Sequence, residues 1–215
     1  MATRLTLYNG ALRLLGQTNL EDTDEAREPR YALDDAYDKG AVKHCLEQGM
    51  WNFAMRSVEI DKDDSISPSF GLKYAYTKPT DWVRTAIVAS DEYFSSPLTD
   101  LGLRDEAQYW YSDLTTMWVQ YVSNDAAYGG DLSLWPQTFV QYVEAFLAAE
   151  ICPRLGQSNE KYEQILKLTE RRLLDARAKD GMNEGAKFMP AGSWTTARRG
   201  GHGRRDRGSR SSLTG

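Results

Sequence analysis

Three clusters in this 215-residue chain have residue types that chemistry uses. Asp61, Asp63 and Asp64 resemble the first half of a calcium loop, in which alternating carboxylates supply hard oxygen ligands. The following Ser65-Ile66-Ser67-Pro68 lacks the glycine that turns such a loop and the later bidentate Glu that completes it. A solvated turn between strands is the expectation. Asp34, Asp35 and Asp38 fall close enough on one predicted helix to suggest carboxylate acid–base work. A polar helix face accounts for them unless a cleft raises a pKa. Gly200-Gly201-His202-Gly203 is glycine-rich, but it has neither the preceding strand nor the following helix that a phosphate loop requires. His44 and His202 are the two histidines, far apart in sequence, whereas a zinc site gathers about four ligands. His44 falls on an apolar helix face and is expected to be packed, so a hydroxyl nucleophile would have no base. Cys45 and Cys152 sit among apolar neighbours in helix-like segments and read as small core residues. The expectation is a protein that is not an enzyme and holds no metal or cofactor.

The strongest signal outside the candidate core is the C-terminal arm. From Lys187 onward the chain has one Lys and six Arg (Arg198, Arg199, Arg204, Arg205, Arg207 and Arg210) against Asp206 alone. The arm is therefore about +6 and the remainder about −11, by subtraction from the total of −5. Such a polarity marks an arm with its own partner. It admits three readings: contact with nucleic-acid phosphates, docking on an acidic groove of a partner protein, or a loose solubilising end. Docking is the reading favoured by Phe188, Met189, Trp194 and Leu213, because apolar anchors beside arginine are what interface cores prefer.

Hydrophobic periodicity gives the elements that carry these residues. Leu5, Tyr8, Leu12 and Leu15 form one face of a short helix over Thr6 to Gly16, with Gly16 as its C-cap. An acidic loop follows. A second helix is predicted over Glu28 to Gln48, with Pro29 in its first turn and Leu33, Ala36, Tyr37, Gly40, Ala41, His44 and Cys45 on one face. After Gly49 the pattern becomes that of strands. Met50 to Ile60, Tyr74 to Tyr76, Trp82 to Val88, Tyr109 to Tyr111 and Met117 to Val122 are β-rich, with a turn at Lys78-Pro79-Thr80-Asp81. Helical spacing returns in Phe139, Val140, Val143, Phe146, Leu147 and Ile151, and Pro153 and Gly156 end it. Ser158-Asn159-Glu160 opens a last helix with Tyr162, Ile165, Leu166, Leu173 and Ala176 inward, ending near Gly181.

The predicted fold class is α+β: a bundle of about four helices with an inserted antiparallel β-domain and an extended arm. The expected domains are 1–181, with the β-region at about 50–130, and the arginine-rich arm 182–215. With 41% hydrophobic residues the chain is of globular composition, and no apolar run approaches the roughly 18 residues that span a bilayer. Met1 to Leu7 has one Arg and no apolar run before a small-residue cleavage site, so neither a secretory leader nor a membrane partner is expected. Synthesis and assembly are expected in the cytoplasm.

Two sequence blocks resemble a known family. Ala11-Leu12-Arg13-Leu14-Leu15-Gly16-Gln17, an acidic loop, and a long helix ending in Cys45-Leu46-Glu47-Gln48-Gly49-Met50-Trp51-Asn52-Phe53-Ala54 resemble the opening of the tail tubular protein A family of short-tailed bacteriophages. Tyr74-Ala75-Tyr76-Thr77-Lys78-Pro79-Thr80-Asp81-Trp82-Val83-Arg84 resembles the next block of the same family. The resemblance covers about the first 90 residues and, more loosely, Phe139 to Leu174. The arginine-rich end departs from it. The resemblance implies a head-to-tail adaptor in the virion neck or tail, a homo-oligomeric ring, commonly of twelve copies, between the portal protein and the distal tail or nozzle protein. Genomic DNA would pass through its lumen. On that basis Phe188, Met189, Trp194, the six arginines and Leu213 would bind the portal, while loops at Ser65 to Gly71 and Tyr128 to Pro136 would meet the next tail ring. The alternative is a nucleic-acid-associated packaging or regulatory protein that contacts DNA through the arginines.

Overall fold

The computed structural model describes residues 2–68, 71–98 and 102–183. They belong to a unit that spans Met1–Asn183, and the fold is α+β. Helix α1, Arg4–Leu15, starts two residues earlier than its apolar face suggests, because Thr3 caps it. The Thr6 amide donates to Thr3 Oγ1 at 3.2 Å and the Thr3 amide donates to Thr6 Oγ1 at 2.7 Å, a reciprocal cap that satisfies two otherwise orphaned donors. Gly16, at φ 72°, ends the helix as expected.

The second predicted helix is broken. Helix α2, Glu28–Ala36, passes into a π-type turn at Tyr37–Ala41 and then into α3, Val42–Glu47. Gly40 inside that turn has φ 99°, a conformation that a side chain would strain. The rotation this introduces explains a correction: Ala41, Cys45 and Leu46 are buried, whereas His44 lies on the exposed side with its ring stacked on Phe146 at 4.7 Å.

Helix α4, Gln137–Ile151, is apolar almost all round, and α1, α2 and α5 pack on it. A helix of that composition must be central. Helix α5, Asn159–Asn183, turns Ile165, Ala176 and Asp180 inward and half-buries Tyr162 and Leu173. Leu166, expected inward, is 38% exposed, because the buried stripe runs through Tyr162, Ile165, Ala176 and Asp180 and leaves it at the margin.

Two antiparallel three-stranded sheets fill the chain between α3 and α4. The first is ordered β1-β6-β3, with β1 Met55–Asp61, β6 Thr116–Ser123 and β3 Trp82–Ala89. The second is ordered β2-β5-β4, with β2 Tyr74–Thr77, β5 Tyr109–Ser112 and β4 Leu103–Asp105. β4 was not foreseen, since three residues are too few to show an alternation. Met117, Val119 and Tyr121 of β6 enter the sheet core with Tyr76, Val88 and Trp110, while Val122 enters the helical core. β6 thus belongs to both cores.

One carboxylate pays for its place between the helices. Glu144 of α4 occupies the notch over Gly10 of α1, where a Cβ would come within 2.2 Å of its carboxyl carbon. The nearest cation is Arg172 of α5, 4.0 Å away. Burial pushes the Glu144 carboxyl above its ordinary range, against the pull of Arg172 and Arg13. A carboxyl whose pKa rises on folding destabilises the fold while it is charged, and that cost fades as pH falls through the folded pKa. Glu144→Gln should therefore be more stable than the parent in urea unfolding at pH 7.5, with the gap closing as pH falls toward 4.5.

Candidate assembly surfaces

The residues assigned to portal binding, Phe188, Met189, Trp194, Arg198, Arg199, Arg204, Arg205, Arg207, Arg210 and Leu213, lie outside the described residues. The helix that leads toward them is firmly seated. Arg177 Nε donates to the Gln48 carbonyl at 2.8 Å, and its Nη2 donates to the same oxygen. The Asn52 amide donates to both carboxylate oxygens of Asp180, at 3.2 and 3.1 Å, and Asn52 Nδ2 donates to the Asp180 carbonyl at 2.9 Å. The last turns of α5 are thereby tied to the corner between α3 and β1. Leu174 and Met182 on the same helix are 64% and 74% exposed.

The carboxylates considered for chemistry are engaged in structural ties. Asp34 accepts from Arg4 Nη2 and from the Tyr8 hydroxyl, each at 2.8 Å, and pairs with Arg30 Nε at 2.8 Å. Arg4 also lies over the Tyr37 ring at 4.5 Å. This cluster clamps α1 to α2, and burial with the hydrogen bond to Asp34 pushes the Tyr8 phenol up. Asp35 pairs with Lys39 and Arg154. In the first loop Asp61 accepts from Thr116 Oγ1, Asp63 from Ser65 and Thr77, and Asp64 pairs with Lys62. Among the described residues no group of His, Cys, Asp or Glu gathers to hold a metal ion. Cys45 and Cys152 are buried free thiols, and burial pushes both pKa values up. No described helix is long and apolar enough to cross a membrane.

Of the two loops expected to meet the next ring, Ser65 to Gly71 includes positions 69 and 70, which lie outside the described residues. The other, Tyr128 to Pro136, is knitted to the body. Its Gly129 amide donates to the Ser123 carbonyl at 3.2 Å, and Trp135 Nε1 donates to the Gly129 carbonyl at 2.9 Å. Leu134 at its tip is 50% exposed.

The turn from Lys78 to Asp81 sets where the sheets stand. The Lys78 side chain is only 5% exposed. Its ammonium lies 3.8 Å from the Trp82 ring centroid, pairs with Asp105 at 2.5 Å and donates to the Glu106 carbonyl at 2.6 Å. Asp105 also accepts from Trp110 Nε1 at 3.0 Å and Thr85 Oγ1 at 2.8 Å. One cation thus ties β3 to the β4–β5 hairpin through an aromatic face and charge-assisted bonds. Three residues on, Asp81 accepts from Arg56 Nη1 at 2.9 Å, from the Tyr121 hydroxyl at 3.1 Å and from Ser123 Oγ. Burial works against its charge, but the bonds from Ser123, Arg56 and Tyr121 outweigh burial and hold the carboxyl below its ordinary range.

Residues 90–98, which follow β3, form an ordered tip. Asp91 accepts from the Ser95 amide at 3.0 Å, Ser95 Oγ at 2.7 Å and the Ser96 amide at 2.8 Å. The Leu98 amide donates back to the Val88 carbonyl at 2.8 Å. Phe94 has φ 54°, the one positive φ outside glycine among the described residues, at a cost of about 1–2 kcal/mol for a bulky side chain. Phe94 is half-buried and Tyr93 beside it is 80% exposed.

No model of a known protein family matches the chain, and a search of curated proteins finds no match.

Two substitutions test the turn. Lys78→Met removes the cation, while Asp105, 40% exposed, keeps its bonds from Trp110 and Thr85; the loss should be about 1–2 kcal/mol in urea unfolding, with a change in tryptophan fluorescence from Trp82 and Trp110. Asp81→Asn bears on acid stability. A carboxyl held low contributes stability that is complete above its unfolded pKa of about 3.9 and is lost as pH falls through the folded value. Asp81→Asn should therefore lower the melting temperature at pH 7 and lose less than the parent between pH 4 and pH 2.

Proposed function

We propose that the protein is a non-enzymatic head-to-tail adaptor, a subunit of a ring that joins the portal of a short-tailed phage to its distal tail protein and gives the genome a path outward. The observation that carries this reading is where the resembling residues fall. Cys45 to Ala54 forms the corner on which α5 is seated, and Trp51 Nε1 closes it by donating to the carbonyls of Cys45 and Leu46 at 3.2 and 3.1 Å. Tyr74 to Arg84 forms β2, the turn of Lys78 and Asp81, and the start of β3. The likeness therefore concerns the residues that join helices to sheets, which determine an architecture.

Charge supports the same reading. The first 186 residues carry about −11, by subtraction of the arm's +6 from −5, and an acidic wall disfavours adhesion to passing phosphates. The arm is then the segment that engages the portal. The competing reading, in which the arginines hold DNA, is favoured by the arm's composition alone.

The deciding measurement is the solution mass of the protein, alone and with the portal, for the full chain and for a chain ending at Gly185. The adaptor reading expects a stoichiometric ring, of about twelve copies if the family's habit holds, that the full chain forms on the portal and the shortened chain does not. Indifference to the portal in both forms would sink it. If DNA binding instead depends on the arm, with a slope of log K against log salt near −5 for about six phosphate contacts, the competing reading stands.

A further inference from the structure

We propose that the last two turns of α5, from Ala176 to Asn183, are a strap across the end of α3, and that this strap and the corner leading from α3 into β1 open and close as one unit, short of global unfolding. The proposal concerns the subunit by itself and goes beyond the adaptor reading without depending on it.

Helix α3 has six residues, and any helix leaves its last four carbonyls without partners inside it. Here side chains from elsewhere meet them. Trp51 Nε1 donates to the Cys45 and Leu46 carbonyls at 3.2 and 3.1 Å, which also accept the Gln48 and Gly49 amides. Arg84 Nη1 of β3 donates to the Glu47 carbonyl at 3.1 Å. Arg177 of α5 takes the Gln48 carbonyl with Nε at 2.8 Å and with Nη2. Two guanidinium groups, one from the sheets and one from the last helix, thus sit on adjacent carbonyls at the negative end of a helix dipole. Three residues beyond Arg177, Asp180 accepts the Asn52 amide that opens the 3₁₀ turn Asn52–Ala54. A spacing of three puts cation and anion on one face of α5, and each meets the backbone pole of opposite sign.

The strap is held by polar bonds. After Leu173 the buried residues of α5 are Ala176 and Asp180, while Leu174 and Met182 are 64% and 74% exposed, so opening these turns uncovers little apolar surface. Upstream, Ile165 is buried and Tyr162 and Leu173 are half-buried against the helical core, which keeps the first part of the helix in place. Segments with few buried apolar contacts are the ones that open locally. Opening takes the Arg177 and Asp180 bonds from the corner together, and that corner also holds Trp51 and the root of β1. The order of the corner therefore follows the state of the strap, and by linkage the strap follows the corner. α5 leads into the arm and the corner leads into the sheets, so what engages the one is registered at the other.

Amide hydrogen exchange of the full-length chain, read by mass spectrometry, tests the coupling. In the parent, peptides over 176–183 and over 48–54 should show the same opening equilibrium, with less protection than α4. Arg177→Met should speed exchange in both segments by about tenfold or more, because the bonds lost come from a charged donor. Asn52→Ala removes the Nδ2 bond to the Asp180 carbonyl from the other side and should speed exchange in 176–183 by about threefold or more. Three results overturn the proposal: residues 48–54 as protected as α4 while 176–183 exchange freely, both segments exchanging only with α4, or an Arg177→Met effect confined to 176–183. Each of them leaves the adaptor reading standing, and indifference to the portal leaves this coupling standing.

Discussion

The fold depends on one aromatic contact set. Phe139, in the first turn of α4, lies 4.8 Å from Trp51, 4.9 Å from Phe53 and 4.9 Å from Trp135 by ring centroids. Those three partners come from the corner after α3 and from the loop before α4, the two places where the chain passes between bundle and sheets. Three strands with an apolar face are about the fewest that give a sheet independent stability, so two such small sheets gain from packing against the helices. Rings packed edge to face contribute both buried area and a preferred geometry. Each indole also donates its N–H to a backbone carbonyl at its own corner, which removes the penalty of burying it. The seam fixes the angle at which the sheets leave the bundle.

Beyond the seam, buried polar groups take over from rings. The sheet core is small, and the turn from Lys78 to Asp81 places a cation on one sheet and an anion on the other within four residues of chain. Lys78 draws in the β4–β5 hairpin through Asp105, and Asp81 draws in β1 and β6 through Arg56, Tyr121 and Ser123. Buried ions contribute little when their partners merely offset the loss of water, yet removing one partner is costly. Such pairs specify one arrangement of strands among several that an aromatic core would tolerate. The ordered tip at Asp91 extends the same economy outward, with a carboxylate supplying the order that burial does not.

Much of this was legible where the chain repeats a period. α1 with its glycine cap, the apolar stripe of α4 and the alternation in β1, β3 and β6 all follow from spacing, because a helix face and a strand face each demand a fixed step. The kink at Gly40 was not legible, since a lone glycine within a helical pattern reads as tolerated, and the misplaced side of His44 followed from it. Lys78 and Asp81 read as residues of a turn, which is where they fall, but their burial depends on the distant partners Asp105, Tyr121 and Ser123. The tip at Tyr93 has no apolar period at all. Its order comes from hydrogen bonds among Asp91, Ser95 and Ser96, which leave no pattern in hydrophobicity. The arm residues were conspicuous by composition, and they lie outside the described residues.

The kink, the burial of Lys78 and Asp81, and the order of the tip share a physical cause. Periodicity reports burial of apolar surface, whereas the kink, the turn and the tip are held by backbone conformation and by polar groups whose partners lie far along the chain or within a few residues of one another. At the tip the positive φ of Phe94 is offset by the hydrogen bonds that Asp91 accepts.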